Sequence, residues 1–154
     1  MFFGKRKIDI LSKKRGIAGR LSNFTRRDFI LDGVHCRSIE GVLQSLKFQN
    51  PNEQQIVCGL WGIQAKYAGE NKNWKEDRIL YWQGKPYKRE SAEYQKLIDY
   101  IYKTVYEQDK QFQKDVKKAA KYRLIHSIGK TDILDTILTE KEFIDRLTMF
   151  HSIL

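Results

Sequence analysis

Cysteine and proline are scarce in this chain of 154 residues, which has two of each. Cys36 and Cys58 form no C-x-x-C pair, and they do not combine with His35, His126 and His151 at metal-ligand spacings. No metal or cofactor is called for, and a reducing, cytoplasmic setting follows. Long apolar runs are also missing. No stretch approaches the roughly 20 apolar residues that span a bilayer, and Lys5, Arg6 and Lys7 interrupt the segment after Phe2 and Phe3 before a signal-peptide core develops. No membrane partner is expected.

Acidic residues are in deficit: 19 Asp and Glu stand against 29 Lys and Arg, a net charge of +10. The imbalance is concentrated, since residues 1–27 hold nine Lys or Arg against Asp9 alone. A positive field at one end either attracts polyanions, nucleic acid or a phosphorylated metabolite, or is a solvated face.

What is present suits a globular domain, with 41% apolar, 12% aromatic and 31% charged residues. The length fits one domain over 1–154, opened by a basic strand and loop at 1–20. Lys7 to Leu11 alternates as a short strand with Ile8 and Ile10 inward. Asp32-Gly33 between Phe29-Ile30-Leu31 and Val34-His35-Cys36 predicts a type I′ hairpin. A helix is predicted from Glu53 to Ala68, capped by Asn52 and Gly69 and burying Ile56, Val57, Leu60 and Ile63. Asn73 to Trp82 reads as a further helix, broken by Gln83-Gly84-Lys85-Pro86. Ser91 caps a long helix to Gln108, a lysine-rich helix follows from Asp109 to Ile125, and Thr139-x-x-Glu142 is a capping box. These elements predict an α+β fold: a mostly helical single domain with a small antiparallel sheet near the N-terminus.

The chain is organised around Ser38 to Phe48. Ser38 is an N-cap, and Ile39, Val42, Leu43 and Leu46 form one apolar stripe. Glu40, Gln44 and Lys47 border that stripe, while Gly41 and Ser45 allow a backbone or ligand to approach. A carboxylate, an amide and an amine therefore converge at the edge of the core.

Leu21-Ser22-Asn23-Phe24, then Asp32-Gly33, then Ser38-x-Glu40-x-x-x-Gln44-x-x-Lys47 is an order that resembles the NADAR family of YbiA-like N-glycosidases, over roughly residues 8–126. The resemblance implies a YbiA-like fold and removal of ADP-ribose from a nucleobase, with guanine in nucleic acid first. Phosphorylated ribosylaminopyrimidine intermediates of riboflavin synthesis are the alternative substrates. It implies that Lys47 is the covalent catalyst or the central cation, that Glu40 is the acid/base, and that Gln44 orients ribose hydroxyls. Ser22, Asn23 and Phe24 would form a binding loop, and Trp74 with Arg78 a Trp-x-x-x-Arg element for a diphosphate. The chain departs from the family pattern at Leu43 and at His126-Ser127-Ile128-Gly129. His126 is either a polar contact on that wall or a cap, and His35 is an orienting candidate beside the helix. A rival reading is a non-catalytic module for nucleic acid or ADP-ribose, using the basic arm with Phe24, Trp74 and Tyr81.

Overall fold

The computed structural model describes residues 4–153, so Phe2 and Phe3 lie outside the described residues. β1 (Lys7–Asp9) leads into a short α1 (Ile17–Arg20), then the hairpin of β2 (Phe29–Leu31) and β3 (Val34–Cys36). The hairpin forms at Asp32-Gly33 as predicted. Both turn residues have positive φ, 49° and 80°, the values a type I′ turn requires. Phe29, Leu31, Val34 and Cys36 face the core while Ile30 and His35 face solvent.

α2 (Ile39–Ser45) is the centre of the domain. Ser38 Oγ accepts from Gly41 N and donates to the Leu60 carbonyl, each at 2.8 Å. Ile39, Val42, Leu43 and Leu46 are all buried, each contributing roughly 1.5–3 kcal/mol. The helix closes earlier than the periodicity suggests. Leu46 is its C-cap, and Lys47 lies on a tight final turn, its N–H donating to the Gln44 carbonyl. Gly41 permits the neighbouring chain to pack close. A Cβ there would lie 2.8 Å from the Leu60 carbonyl oxygen and 2.9 Å from that of Val57, so only glycine fits.

The helix predicted over 53–68 is two, α3 (Pro51–Cys58) and α4 (Gly62–Ala68). Trp61 is extended and Gly62 has φ 62°, which breaks the helical phase between them. Val57 is buried as expected, but α3 buries Gln54 and Cys58 beside it and leaves Ile56 71% exposed, while α4 restarts on a new face and leaves Ile63 49% exposed. Residues 73–82 also differ from the predicted helix. β4 (Ile79–Trp82) pairs antiparallel with β5 (Lys85–Lys88) across Gln83-Gly84, whose φ values of 50° and 84° again suit a two-residue turn. The β-rich Ile-Leu-Tyr-Trp run overrides the weak helical spacing.

α5 (Ala92–Gln108) begins at the Ser91 cap and buries Tyr94, Leu97, Ile98, Ile101 and Val105. α6 (Lys110–Ala119) stops short of Ile125, because Arg123–Ile125 forms β6 and pairs in parallel with β1. This pairing is long-range, so local pattern does not announce it. α7 (Glu140–Thr148) starts with the Thr139/Glu142 capping box. Among the described residues the result is a single α+β domain of seven α-helices with small antiparallel sheets and one parallel pair. Among the described residues, no helix is long and apolar enough to cross a membrane.

Candidate functional site

The polar edge of α2 opens into a cleft of about 580 Å³, within the roughly 300–1,000 Å³ of small-molecule sites. Glu40, Gln44 and Lys47 all line it, as do Ser22, Asn23, Phe24, Trp74 and His126. The Ser22–Phe24 loop is locked onto the start of α2. Ser22 Oγ accepts from Phe24 N at 3.1 Å, and the Asn23 carbonyl accepts from Glu40 N at 2.9 Å. Tyr102, whose burial keeps its phenol neutral, donates to Asn23 Oδ1 at 2.8 Å. That bond orients the Asn23 amide toward the cleft.

Burial acts in opposite directions on the two ionisable groups of α2. It raises the Glu40 carboxyl above its ordinary 4.5, against the Gln44 hydrogen bond and the charges of Lys47 and Lys66. It lowers the Lys47 ammonium below its ordinary 10.5, against Glu40 but with help from Lys75 and Lys130. The two form no ion pair within 4 Å. Lys47 Nζ reaches only the Gly69 carbonyl, at 3.4 Å. The amine is therefore not neutralised by its carboxylate neighbour.

Gln44 sits between them, donating Nε2 to Glu40 Oε1 at 2.9 Å. Its Oε1 is buried and accepts no hydrogen bond, a condition that costs about 1–3 kcal/mol. Gly69, which caps α4, makes room for it. A Cβ at 69 would lie 2.1 Å from Gln44 Oε1 and 3.0 Å from Lys47 Cδ.

The opposite wall comes from the chain after β6. His126 Nδ1 pairs with the Ile10 carbonyl at 2.7 Å, and its backbone N–H donates to Glu140 Oε2 at 2.7 Å. His126 follows a strand and caps no helix; it lines the cleft while its Nδ1 is engaged with the Ile10 carbonyl. Ile137, Leu138 and Phe143 continue this wall into an inner recess of about 120 Å³ behind Glu40.

Two predicted site residues fall elsewhere. His35 is on the solvent face of β3, paired with Asp28, because hairpin alternation points it outward. Arg78 is exposed at a left-handed turn (φ 59°), so no Trp-x-x-x-Arg helix face exists; Trp74 alone enters the cleft. None of the basic side chains of residues 4–27 lines the cleft. Arg20 grips Asp115 and Arg27 is buried against Asp109, while Lys5 caps the end of α6 through the Ala120 carbonyl. The cleft draws its cations from Lys66, Lys72, Lys75 and Lys130 instead. Sequence reasoning missed these, although Lys72 and Lys75 flank Trp74.

Linkage at Glu40 gives a measurable consequence. Its contribution to stability is present below about 4.5 and is lost as pH rises through the higher folded value. Glu40→Gln removes that loss and keeps an acceptor for Gln44. The variant is expected to unfold at higher urea than the parent at about pH 9 and to match it near pH 4, followed by circular dichroism.

No solved structure matches the chain. It is 37% identical over 148 residues to an uncharacterized 17.1 kDa protein from the Gp30–rIII intergenic region of Enterobacteria phage T4, covering 94% of this chain and 96% of that one. The family model described as bacteriophage protein GP30.3 matches residues 15–152. These matches overturn the NADAR assignment, which rested on short segments around α2 and on a Trp-x-x-x-Arg face that does not form. By a match along nearly its whole length, the chain belongs to the bacteriophage protein GP30.3 family.

Proposed function

We propose that this protein is an N-glycosidase that splits the bond between ribose and a nucleobase in a phosphorylated substrate. The observation that carries the reading is the pair on α2: in one cleft, burial makes Glu40 easier to protonate and Lys47 easier to deprotonate. Between the two pKa values, the fraction holding both a protonated acid and a neutral amine rises about tenfold for each unit by which they approach.

The chemistry follows from these states. Lys47 Nζ adds to C1′ as the bond to the base breaks, and Glu40 delivers its proton to the departing nitrogen. The new C–N bond allows the ribose ring to open to a protonated imine, the ring oxygen taking the proton that the attacking amine loses. Glu40, now a carboxylate, removes a proton from the water that hydrolyses the imine. Gln44, which lines the cleft, is the candidate to orient ribose hydroxyls. Phe24 and Trp74 offer flat apolar surface for a ring.

Five lysines line the cleft against the acids Glu40, Glu70 and Asp135. That excess suits a phosphorylated substrate, with ADP-ribose on guanine first and a ribosylaminopyrimidine phosphate as the alternative. Two buried free thiols, Cys36 and Cys58, agree with work in a reducing cytoplasm.

The test is incubation with an ADP-ribosyl-guanine conjugate in the presence of borohydride, followed by peptide mass analysis. A reduced ADP-ribosyl adduct on Lys47 is expected. Release of ADP-ribose with no adduct removes the covalent lysine, and no release at all removes the activity.

A further inference from the structure

α4 gives Lys66 to the lining of the cleft, and its outer face is unusual for a protein with this much charge. Ala65 is buried against α2, while Ile63 and Tyr67, at i and i+4, lie on the opposite side and are 49% and 57% exposed. Trp61, immediately before the helix, is 41% exposed, and the Arg26 guanidinium stacks on its indole at 4.8 Å. No acidic residue lies on α4. Lys66, on the edge between the two faces, reaches into the cleft. Among the described residues, neither Arg26 nor Lys66 is in an ion pair.

We propose that the outer face of α4 with Trp61 and Arg26 is a docking platform for single-stranded nucleic acid, whose chain enters the cleft over the Lys66 edge. Aromatic faces interleaved with unpaired cations are the arrangement that holds single strands without reading sequence, since every base presents a π-face and every step a phosphate. Charge complementarity favours this occupant over a protein: Arg26 and Lys66 are both free of ion pairs among the described residues, with Asp28 as an acidic neighbour of Arg26, on a chain of net +10. The inference rests on the glycosidase reading for its purpose and names the class of substrate: a modified base still attached to its strand. Binding itself needs no turnover.

The platform is tested by fluorescence anisotropy of the full chain with a labelled oligothymidylate, which carries no ADP-ribose. Trp61→Ala and Tyr67→Ala are each expected to weaken binding about tenfold. Arg26→Ala is expected to reduce the slope of log affinity against log salt by about 0.7. All three should leave turnover of a mononucleoside ADP-ribosyl conjugate unchanged. Variants that bind the oligonucleotide as the parent does overturn the platform. So does a parent that is dimeric by sedimentation and becomes monomeric on Tyr67→Ala, which would assign the face to a second copy. Failure of the glycosidase reading looks different: oligonucleotide binding persists and depends on Trp61 and Tyr67, but no ADP-ribose is released.

Discussion

Lys47→Arg is expected to lower turnover by roughly 10⁴-fold or more while substrate affinity changes by only a few-fold. Arginine keeps a positive charge in the cleft and a similar reach, so phosphate attraction survives. A guanidinium does not deprotonate in a protein and forms no imine. The parent amine is accessible to deprotonation for a stated reason: burial lowers it, Lys75 and Lys130 add to the effect, and Glu40 is near enough to oppose it without forming a close ion pair. The measurement is single-turnover release of ADP-ribose, with affinity from titration of the unreacted conjugate. Activity in Lys47→Arg within tenfold of the parent would reduce Lys47 to a point charge. The proposed pair also fixes the pH profile. Rate should be level between the Glu40 and Lys47 pKa values and fall on either side, and Glu40→Gln should abolish the alkaline limb along with most of the rate.

Removing the Arg89 guanidinium is expected to cost about 3–5 kcal/mol of stability, a large part of the 5–15 kcal/mol that holds a typical domain. Arg89 is fully buried. Its Nη1 and Nη2 donate to Glu142 Oε2 and Oε1 at 3.0 and 2.5 Å, and its Nε donates to the Thr136 carbonyl at 2.9 Å. Arg89→Met keeps volume but leaves the Glu142 carboxylate without its counter-charge and the Thr136 carbonyl without a donor. Burial by itself would raise Glu142; Arg89, the Thr139 N–H and Gln95 outweigh it, and the group lies below its ordinary 4.5. Its stabilising contribution is thus present above about 4.5 and is lost as pH falls through the folded value. The deficit of Arg89→Met, measured by urea unfolding, should accordingly be largest near neutral pH and shrink in acid. Activity should suffer with stability, because Thr136, Ile137 and Leu138 form the far wall of the cleft and Tyr94 holds the Ile137 carbonyl at 2.7 Å.

Local chemistry made several elements legible. Asp32-Gly33 announced its hairpin because few other dipeptides accept two positive φ angles, and Ser38, Ser91 and Thr139 announced helix starts because each satisfies an otherwise orphaned N–H. Helical geometry put Glu40 and Gln44 on one face, and the tight turn after the Leu46 cap keeps Lys47 beside them in the cleft. Gln83-Gly84 carried the same hairpin signal as Asp32-Gly33, but it was read only as a helix stop, and Arg78 went with that misreading. The NADAR resemblance failed for a related reason: its motifs are short, and a whole-chain match to GP30.3 supersedes them.

By itself, the sequence determined the helices with strong caps, the first hairpin and the face of α2 on which an acid and an amide meet. Periodicity and capping act over a few residues, so they are written locally. Only the tertiary structure decided what closes over that face: His126 from the far side of β6, Lys130 and the 136–138 segment, and Gly69 against Gln44. It also paired Arg20 with Asp115 and Arg27 with Asp109, at the other side of the chain. Those choices depend on contacts between residues distant in the chain, such as the parallel pairing of Ile8 with Leu124, and no local spacing encodes them.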